Sequence, residues 1–312
     1  MQLVVVIVNY NSTSLLQRCL SALRRQTRVP DKIVVVDNAS TDPKVLPELT
    51  ALGQIEVIYN LTNQGYGAAI NRACQDLAQD DLLICLNPDA FPEPGCLAAL
   101  ETAADEYPEV GSFATLMLNA DNPHIIDGAG DLQSISGHAR RRGHGKLRST
   151  LQLADGKVFA ACGGACLYRV SAFRHVGGFD ESYFMYSEDS DLGFRLQMAG
   201  FSCRFVSTAV VHHQGSATTG GYGSDFCVFH GNRNVVWLTV KNFPSVLLPL
   251  AALSHVVIAT LLALQMLVLG QLGVFLRGKW AGVRQMGGAW RARKTVQRRV
   301  SIGYLMRNFS WP

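Results

Sequence analysis

Residues 180–191 read Asp-Glu-Ser-Tyr-Phe-Met-Tyr-Ser-Glu-Asp-Ser-Asp. Five carboxylates, Asp180, Glu181, Glu188, Asp189 and Asp191, stand there among aromatic and apolar side chains. A group of this kind either satisfies the acidic first turn of a helix or supplies a general base at the helix mouth. Positive backbone potential at a helix start favours a carboxylate that points out of the fold. Leu192, Leu196 and Met198 follow at helical spacing, and Gly200 is a natural stop. A helix to about residue 200 is therefore predicted, with Ser187 or Ser190 at its N-cap. A second chemical signal is the basic run 138–148, His-Ala-Arg-Arg-Arg-Gly-His-Gly-Lys-Leu-Arg. It reads either as a solvated loop or as a mobile clamp for a phosphorylated ligand, since guanidinium forks match phosphate oxygens.

The elements that position these groups begin at the N-terminus. Residues 3–8 and 32–37 are β-branched runs typical of buried strands, and 55–59 and 81–86 continue the series. Helical periodicity fills 14–26 and 68–78, with a short helix predicted over 47–53. This alternation is a βαβ pattern, which implies a mostly parallel α/β sheet with helices on both faces. Three strands end in polar loops, 9–11, 37–42 and 87–89. Ligands of open α/β sheets bind at the carboxyl ends of strands, so these loops are expected to converge on one edge. Gly65-x-Gly67 lacks a third glycine and follows the third strand, so it is not a dinucleotide fingerprint. Residues 111–158 are weakly patterned, and 158–168 read as a buried strand with a glycine kink.

In this order the motifs resemble family 2 inverting glycosyltransferases, nearest their bacterial rhamnosyltransferase-like branch. The matching stretches are 6–12 (Val-Ile-Val-Asn-Tyr-Asn-Ser), 36–42 (Val-Asp-Asn-Ala-Ser-Thr-Asp), 63–67 (Asn-Gln-Gly-Tyr-Gly) and 86–89 (Leu-Asn-Pro-Asp). Further on come 164–169 (Gly-Ala-Cys-Leu-Tyr-Arg), 176–180 (Val-Gly-Gly-Phe-Asp), 186–192, 213–218 and Arg233-Asn234. The resemblance covers about residues 1–245 and implies the GT-A fold and a nucleotide-sugar donor, dTDP- or UDP-linked. It places Asp37 at the base-recognising carboxylate, Tyr10 and Asn11 beside the nucleoside, and Asn63 and Gly65 in the nucleotide pocket. Asn87 and Asp89 occupy the D-x-D metal motif, with Asn in place of the first Asp, and Gly164 adjoins the donor. His213, or its neighbour His212, resembles the histidine that completes the metal site. Asp189 falls at the catalytic base, with Glu188 before it.

The chemistry asks for the same residue types. Displacing a sugar from a nucleoside diphosphate needs the leaving phosphates neutralised, which a divalent cation does. One carboxylate and one imidazole suit Mn²⁺ or Mg²⁺, and the imidazole favours Mn²⁺. Inversion needs one base on the acceptor side, typically contributing ~10²–10⁴-fold.

Charge divides the 312-residue chain. Residues 1–225 hold 17 basic and 24 acidic side chains, a net −7, whereas 226–312 hold 11 basic ones and no acid, a net +11. Residues 242–276 carry no formal charge. This apolar stretch exceeds the ~20 residues that cross a hydrocarbon core. A single span would put the basic tail opposite a cytosolic catalytic body, against the positive-inside bias. A re-entrant or interfacial helix broken near residues 270–273 removes the conflict. The expected organisation is a catalytic domain over 1–245 and a membrane-associated segment over 246–312. Its basic residues (Arg277, Lys279, Arg284, Arg291, Arg293, Lys294, Arg298, Arg299) would lie on anionic headgroups at the cytoplasmic face of the plasma membrane. Nucleic acid is not the expected partner, because the basic tail adjoins an apolar run rather than stacking aromatics. Residues 3–8 lack the basic flank and cleavage site of a leader. The eight cysteines form no C-x-x-C pair and read as buried, reduced thiols.

The expected activity is transfer of a sugar, with rhamnose as the candidate, onto a lipid-linked or cell-envelope glycan. Two other readings fit the same features. One is a non-catalytic nucleotide-sugar-binding homologue whose Asn87 has cost it the metal; the other is a membrane-docked interaction protein.

Overall fold

The computed structural model describes residues 1–41, 55–215 and 223–310. The helix predicted over 47–53, Asp42 and residues 216–218 lie outside the described residues. The first half follows the predicted alternation: β1 (Leu3–Asn9), α1 (Thr13–Arg24), β2 (Lys32–Asp37), β3 (Ile55–Tyr59), α2 (Tyr66–Ala73) and β4 (Leu82–Leu86). β1 lies between β4 and β2, parallel to both, and β3 extends the sheet beyond β2. Side chains of β1 alternate between two cores. Leu3, Val5 and Ile7 join α1 on one face, and Val4, Val6 and Val8 join α2 on the other. Burial on both faces is why this strand reads as unbroken apolar sequence, each side chain contributing about 1.5–3 kcal/mol. α2 stops five residues short of its predicted end.

The other half of the sheet contains what the weakly patterned region concealed. After β5 (Ala90–Pro92) and α3 (Cys96–Glu106), β6 (Val110–Asn119) is a ten-residue strand, almost wholly buried. Its residues Gly111, Ser112 and Thr115 interrupt the hydrophobic run, which is why 111–119 carries little strand signature. β7 (Ile126–Gly128) pairs with β6, while β8 (Asp131–Gln133) and β9 (Ala139–Arg141) form a separate hairpin. The basic run thus begins in this hairpin, with Ala139–Arg141 in β9, and continues as turns over 142–145. β10 (Gly156–Val158) and β11 (Ala165–Arg169) flank the glycine kink. α4 (Val170–His175), α5 (Glu188–Ala199) and β12 (Ser202–His213) follow. The main sheet runs β10-β12-β6-β11-β4-β1-β2-β3, mixed but mostly parallel at its centre, with β11 antiparallel between β6 and β4. α5 begins at Ser187 without a side-chain cap and ends on left-handed Gly200.

The C-terminal part is helical: α6 (Asp225–Asn242), α7 (Leu248–Val268), α8 (Leu272–Arg284), α9 (Met286–Ala292) and α10 (Ile302–Asn308). α7 is the one described helix long and apolar enough to cross a membrane, and only Ala251 of it is buried. The break falls where predicted, at Leu269–Gln271, with Gly270 left-handed at φ 72°. α8 then returns along α6 in backbone contact. A Cβ at Gly278 would lie 2.6 Å from the Phe229 carbonyl oxygen, and one at Gly282 would lie 2.9 Å from that of Arg233. The chain end also returns to the body. Phe309 stacks on Phe159 and Phe243 and adjoins Phe194 of α5, and Leu305 is fully buried. Residues after 245 are therefore packed onto the helix that carries Asp189. All eight cysteines are free and buried.

Candidate active site

One cleft of about 990 Å³ opens over the carboxyl ends of β1, β2 and β4. Tyr10, Asn63, Asn87, Asp89, Gly164, Glu188, Asp189 and His213 all line it, so sequence-distant motifs do converge. Three predicted residues, Asn11, Asp37 and Gly65, do not line it. Asp37 is buried, and its carboxylate accepts from Asn9 Nδ2 (2.9 Å), Ser40 Oγ (2.6 Å) and Ser40 N (3.1 Å). Asn11 accepts from Thr41 through its Oδ1, and Gly65 caps α2. In front of them Asn38 reaches the cleft and binds Asn63 Oδ1 at 2.9 Å and the Gly65 carbonyl at 3.2 Å.

The five carboxylates sort by partner. Asp191 is fully buried and bonded to Arg195, Lys241 and Asn242, and Lys241 also holds Asp180 at 2.6 Å. Burial alone would raise the Asp191 carboxyl, but Arg195 and Lys241 outweigh it and hold it down to about 2. Glu181 accepts from Asn71. These three carboxylates tie α5 and its approach to the body. Glu188 and Asp189 face the cleft. Burial, and then the charge of Asp189, push Glu188 well above the usual carboxylate range. Asp189 is half-buried, its Oδ2 accepting from Gly163 N at 3.0 Å and its Oδ1 from Ser190 N at 2.7 Å.

The turn into α5 is strained. Phe184, Tyr186 and Ser187 have φ of 64°, 69° and 66°, each costing about 1–3 kcal/mol in a non-glycine residue. Asn234 of α6 holds it by donating to the carbonyls of Tyr183, Met185 and Tyr186, and Arg233 donates to Tyr183 O as well. The Arg233-Asn234 pair thus acts on the backbone that delivers Asp189.

On the opposite wall His213 is buried at the end of β12. Its Nδ1 lies 2.8 Å from Asp127 Oδ2 and its Nε2 lies 3.4 Å from Asp89 Oδ1. Burial alone would lower the imidazole; the Asp127 and Asp89 carboxylates outweigh it and raise it. With Nδ1–H given to Asp127, Nε2 keeps its lone pair, and among the described residues it accepts no hydrogen bond. That is the orientation of a carboxylate-backed metal ligand, and with Asp89 it fits a divalent cation. His212 points to the other face and meets Glu93 at 2.9 Å, so strand alternation separates the two histidines. A second group, Asp131, Cys162 and Asp189, has its ligand atoms within 4.8 Å of one another. Burial pushes Asp131 up to about 7 and Cys162 well above the usual thiol range, so two of the three favour their protonated forms. Metal ligands must lose their protons, so this group fits a cation less well.

Sequence reasoning missed Asn38 and Asp131 as cleft residues and Asp127 as the partner of His213. The last two flank a Gly-Ala-Gly turn (127–131), and acids bracketing a glycine turn are the signal that pointed to them. His138, Arg140 and Arg141 of the basic run also line the cleft, and Arg141 pairs with Asp127 at 2.6 Å.

Comparison with known proteins agrees with this geometry. The family model described as glycosyl transferase family 2 matches residues 4–177. The N-acetylglucosaminyl-diphospho-decaprenol L-rhamnosyltransferase of Mycobacterium tuberculosis is 31% identical over 260 residues, 76% of this chain and 84% of the relative. The O-antigen chain rhamnosyltransferase RfbN of Salmonella typhimurium is 26% identical over 226 residues, 70% of this chain and 68% of the relative. Among solved structures, GalNAc-T7 with UDP, GalNAc and Mn²⁺ superposes with a TM-score of 0.60 at 21% identity, over 76% of this chain. This chain spans about half of that one, 47%. The mannosyltransferase PcManGT of Pyrobaculum calidifontis, in complex with GDP-Man and Mn²⁺, gives 0.55 at 15% identity over 98% of this chain and 78% of that one. The fold is GT-A, and the chain belongs to glycosyl transferase family 2, with rhamnosyltransferases among its relatives.

Proposed function

We propose that this glycosyltransferase moves a rhamnosyl group from dTDP-rhamnose onto a lipid-linked acceptor at the cytoplasmic face of the plasma membrane. One observation carries the reading. The cleft that holds Asp89, His213 and Asp189 is also lined by Leu262 and Met266 of α7 and Phe275 of α8. A water-soluble donor and an apolar acceptor thus have a shared meeting place.

Asp89 and His213 would hold a divalent cation, Mn²⁺ or Mg²⁺, backed by Asp127, and that cation would neutralise the leaving diphosphate. Asp189 takes the proton of the attacking hydroxyl. The bonds from Gly163 N and Ser190 N fix its orientation before the acceptor arrives. Burial and the neighbouring Asp189 charge disfavour a second negative charge on Glu188. Tyr10, Asn38 and Asn63 shape the nucleoside side, with Asn11, Asp37 and Gly65 setting their loops, and Asn87 and Gly164 stand beside the sugar. As it loses its proton to Asp189, the acceptor oxygen bonds to the anomeric carbon on the face opposite the departing nucleoside diphosphate, and the bond to that diphosphate breaks, which gives inversion.

The membrane reading rests on exposure. Leu253, Val256, Leu261, Leu264, Leu267 and Val268 of α7 are all more than half exposed. Trp280 and Trp290 are 66% and 58% exposed, as anchors at a membrane–water interface are. Arg277, Arg284, Arg291, Lys294, Arg298 and Arg299 are exposed and suit anionic headgroups, each contributing roughly 1 kcal/mol. Lys279 and Arg293 are not part of that set: both are half-buried, Lys279 against His255 and Arg293 against the Val240 carbonyl. An amphipathic, interfacial seating of α7–α9 accounts for an apolar face beside a basic one.

The test is a donor screen with Mn²⁺, using N-acetylglucosaminyl-diphospho-decaprenol as acceptor. Transfer from dTDP-rhamnose is expected to exceed that from UDP- and GDP-sugars. Nucleotide-sugar binding without transfer would favour the non-catalytic reading.

A further inference from the structure

Where α7 and α8 meet the β8–β9 hairpin, two histidines and a lysine come together that the transfer chemistry does not use. His138, just before β9, lines the cleft, and its ring stacks on His255 of α7 at 5.0 Å and 24°. His255 Nδ1 donates to the Ser136 carbonyl at 2.9 Å, which leaves a lone pair on Nε2. That nitrogen accepts from Lys279 Nζ of α8 at 3.0 Å. The ammonium also sits over the ring of Phe275, at 5.6 Å, and Phe275 lines the cleft.

Lys279 has three N–H donors and uses one on His255. Among the described residues nothing accepts the other two, and no carboxylate comes within ion-pair distance. Burial pushes the ammonium down to about 7. A part-buried cation without counter-charge is costly, and such groups beside a cleft mark binding sites. His138 Nε2 is likewise buried and has no hydrogen-bond partner among the described residues. The complementary ligand is an oxyanion. Because Phe275, under the ammonium, lines the cleft together with His138, Leu262 and Met266, that oxyanion belongs to a molecule with an apolar part.

We propose that His138, His255 and Lys279 form a subsite for the diphosphate of the lipid-linked acceptor, with its hydrocarbon chain following α7. This rests on the lipid-linked-acceptor reading above. The protein then has two phosphate positions: the donor's with Asp89 and His213, and the acceptor's with Lys279. A phospholipid headgroup offers the same chemistry, but the exposed arginines already face outward for headgroups, whereas Lys279 sits over Phe275, which lines the catalytic cleft.

Steady-state kinetics in neutral, phospholipid-free detergent micelles test this, with N-acetylglucosaminyl-diphospho-decaprenol as the varied substrate. Lys279→Gln should raise the KM for that acceptor by about tenfold or more, with kcat changed by less than about threefold. Inorganic pyrophosphate should compete with the acceptor on the wild type and do so about tenfold more weakly on the variant. Lys279→Arg should recover most of the acceptor affinity. Removing a part-buried charge should leave the melting temperature equal or higher, which separates lost binding from lost folding. His138→Asn, which retains a hydrogen-bonding side chain, should give a smaller rise in the same KM. Equal acceptor KM for Lys279→Gln and wild type overturns the subsite while leaving glycosyl transfer intact. An effect seen only on anionic vesicles, and not in micelles, also overturns it in favour of a headgroup contact. A wild-type protein that transfers no sugar to this acceptor from any donor overturns the lipid-linked-acceptor reading and the subsite together.

Discussion

At the scale of single residues, the site is decided by which carboxylates are already spoken for. Asp180 and Asp191 belong to Lys241 and Arg195, which leaves Asp189 as the cleft carboxylate held by backbone donors. Asp127 does for His213 what a supporting carboxylate does for a metal ligand. Asp127→Asn should therefore lower Mn²⁺ affinity by about 10–100-fold, read by calorimetry in the presence of a nucleoside diphosphate. Unchanged affinity would remove Asp127 from the cation site. Asp131 gives a pH signature. Its folded carboxyl is held at about 7 against an ordinary 3.8, so the folded state binds the extra proton between those values. Its contribution to stability is intact below about pH 4, falls as pH rises through that window, and is flat above it. Asp131→Asn mimics the protonated form. Its melting temperature relative to wild type should climb from about pH 4 to about pH 7 and then level off. A constant difference across that range would contradict the assignment.

Among the elements, the loops and the close helix contacts matter most. β1 and β2 were legible because strands buried on both faces leave unbroken β-branched runs. The convergence of the loops after β1, β2 and β4 followed from parallel topology alone. β6 was not legible, because Gly111, Ser112 and Thr115 break its apolar pattern and its partners come from distant strands. Asp127 and Asp131 went unseen with it. The docking of α8 on α6 was also hidden, since nothing local in Gly278 and Gly282 says which helix they will touch. Gly282→Val forces a side chain against the Arg233 carbonyl, beside the Asn234 that holds the 184–187 turn. Overpacking of this kind typically costs about 1–3 kcal/mol. The variant should show a lower melting temperature and faster proteolysis of the C-terminal helices. Wild-type behaviour on both measures would mean that α8 does not dock where described.

For the whole molecule, charge and hydropathy divide the surface into an acidic catalytic body and an apolar, basic C-terminal face. The division was plain in the sequence; the return of Leu305 and Phe309 to the body was not, because that packing depends on Phe159 and Phe194 far upstream. The C-terminal segment thus both exposes an apolar, basic face and buttresses α5. Leu261→Lys with Leu264→Lys alters only exposed positions of α7. It should reduce flotation with anionic liposomes while leaving the melting temperature in solution within a few degrees of wild type, since surface changes usually stay within about 0.5 kcal/mol. Undiminished flotation would place the membrane contact elsewhere. The most direct test joins chemistry to membrane. Radiolabelled dTDP-rhamnose is supplied with Mn²⁺ to the full-length protein on liposomes containing N-acetylglucosaminyl-diphospho-decaprenol. Labelled lipid should form with the wild type and fall by about 10²–10⁴-fold with Asp189→Asn, while donor binding stays nearly unchanged. Transfer by Asp189→Asn within about tenfold of the wild type would contradict the assignment of Asp189 as the base.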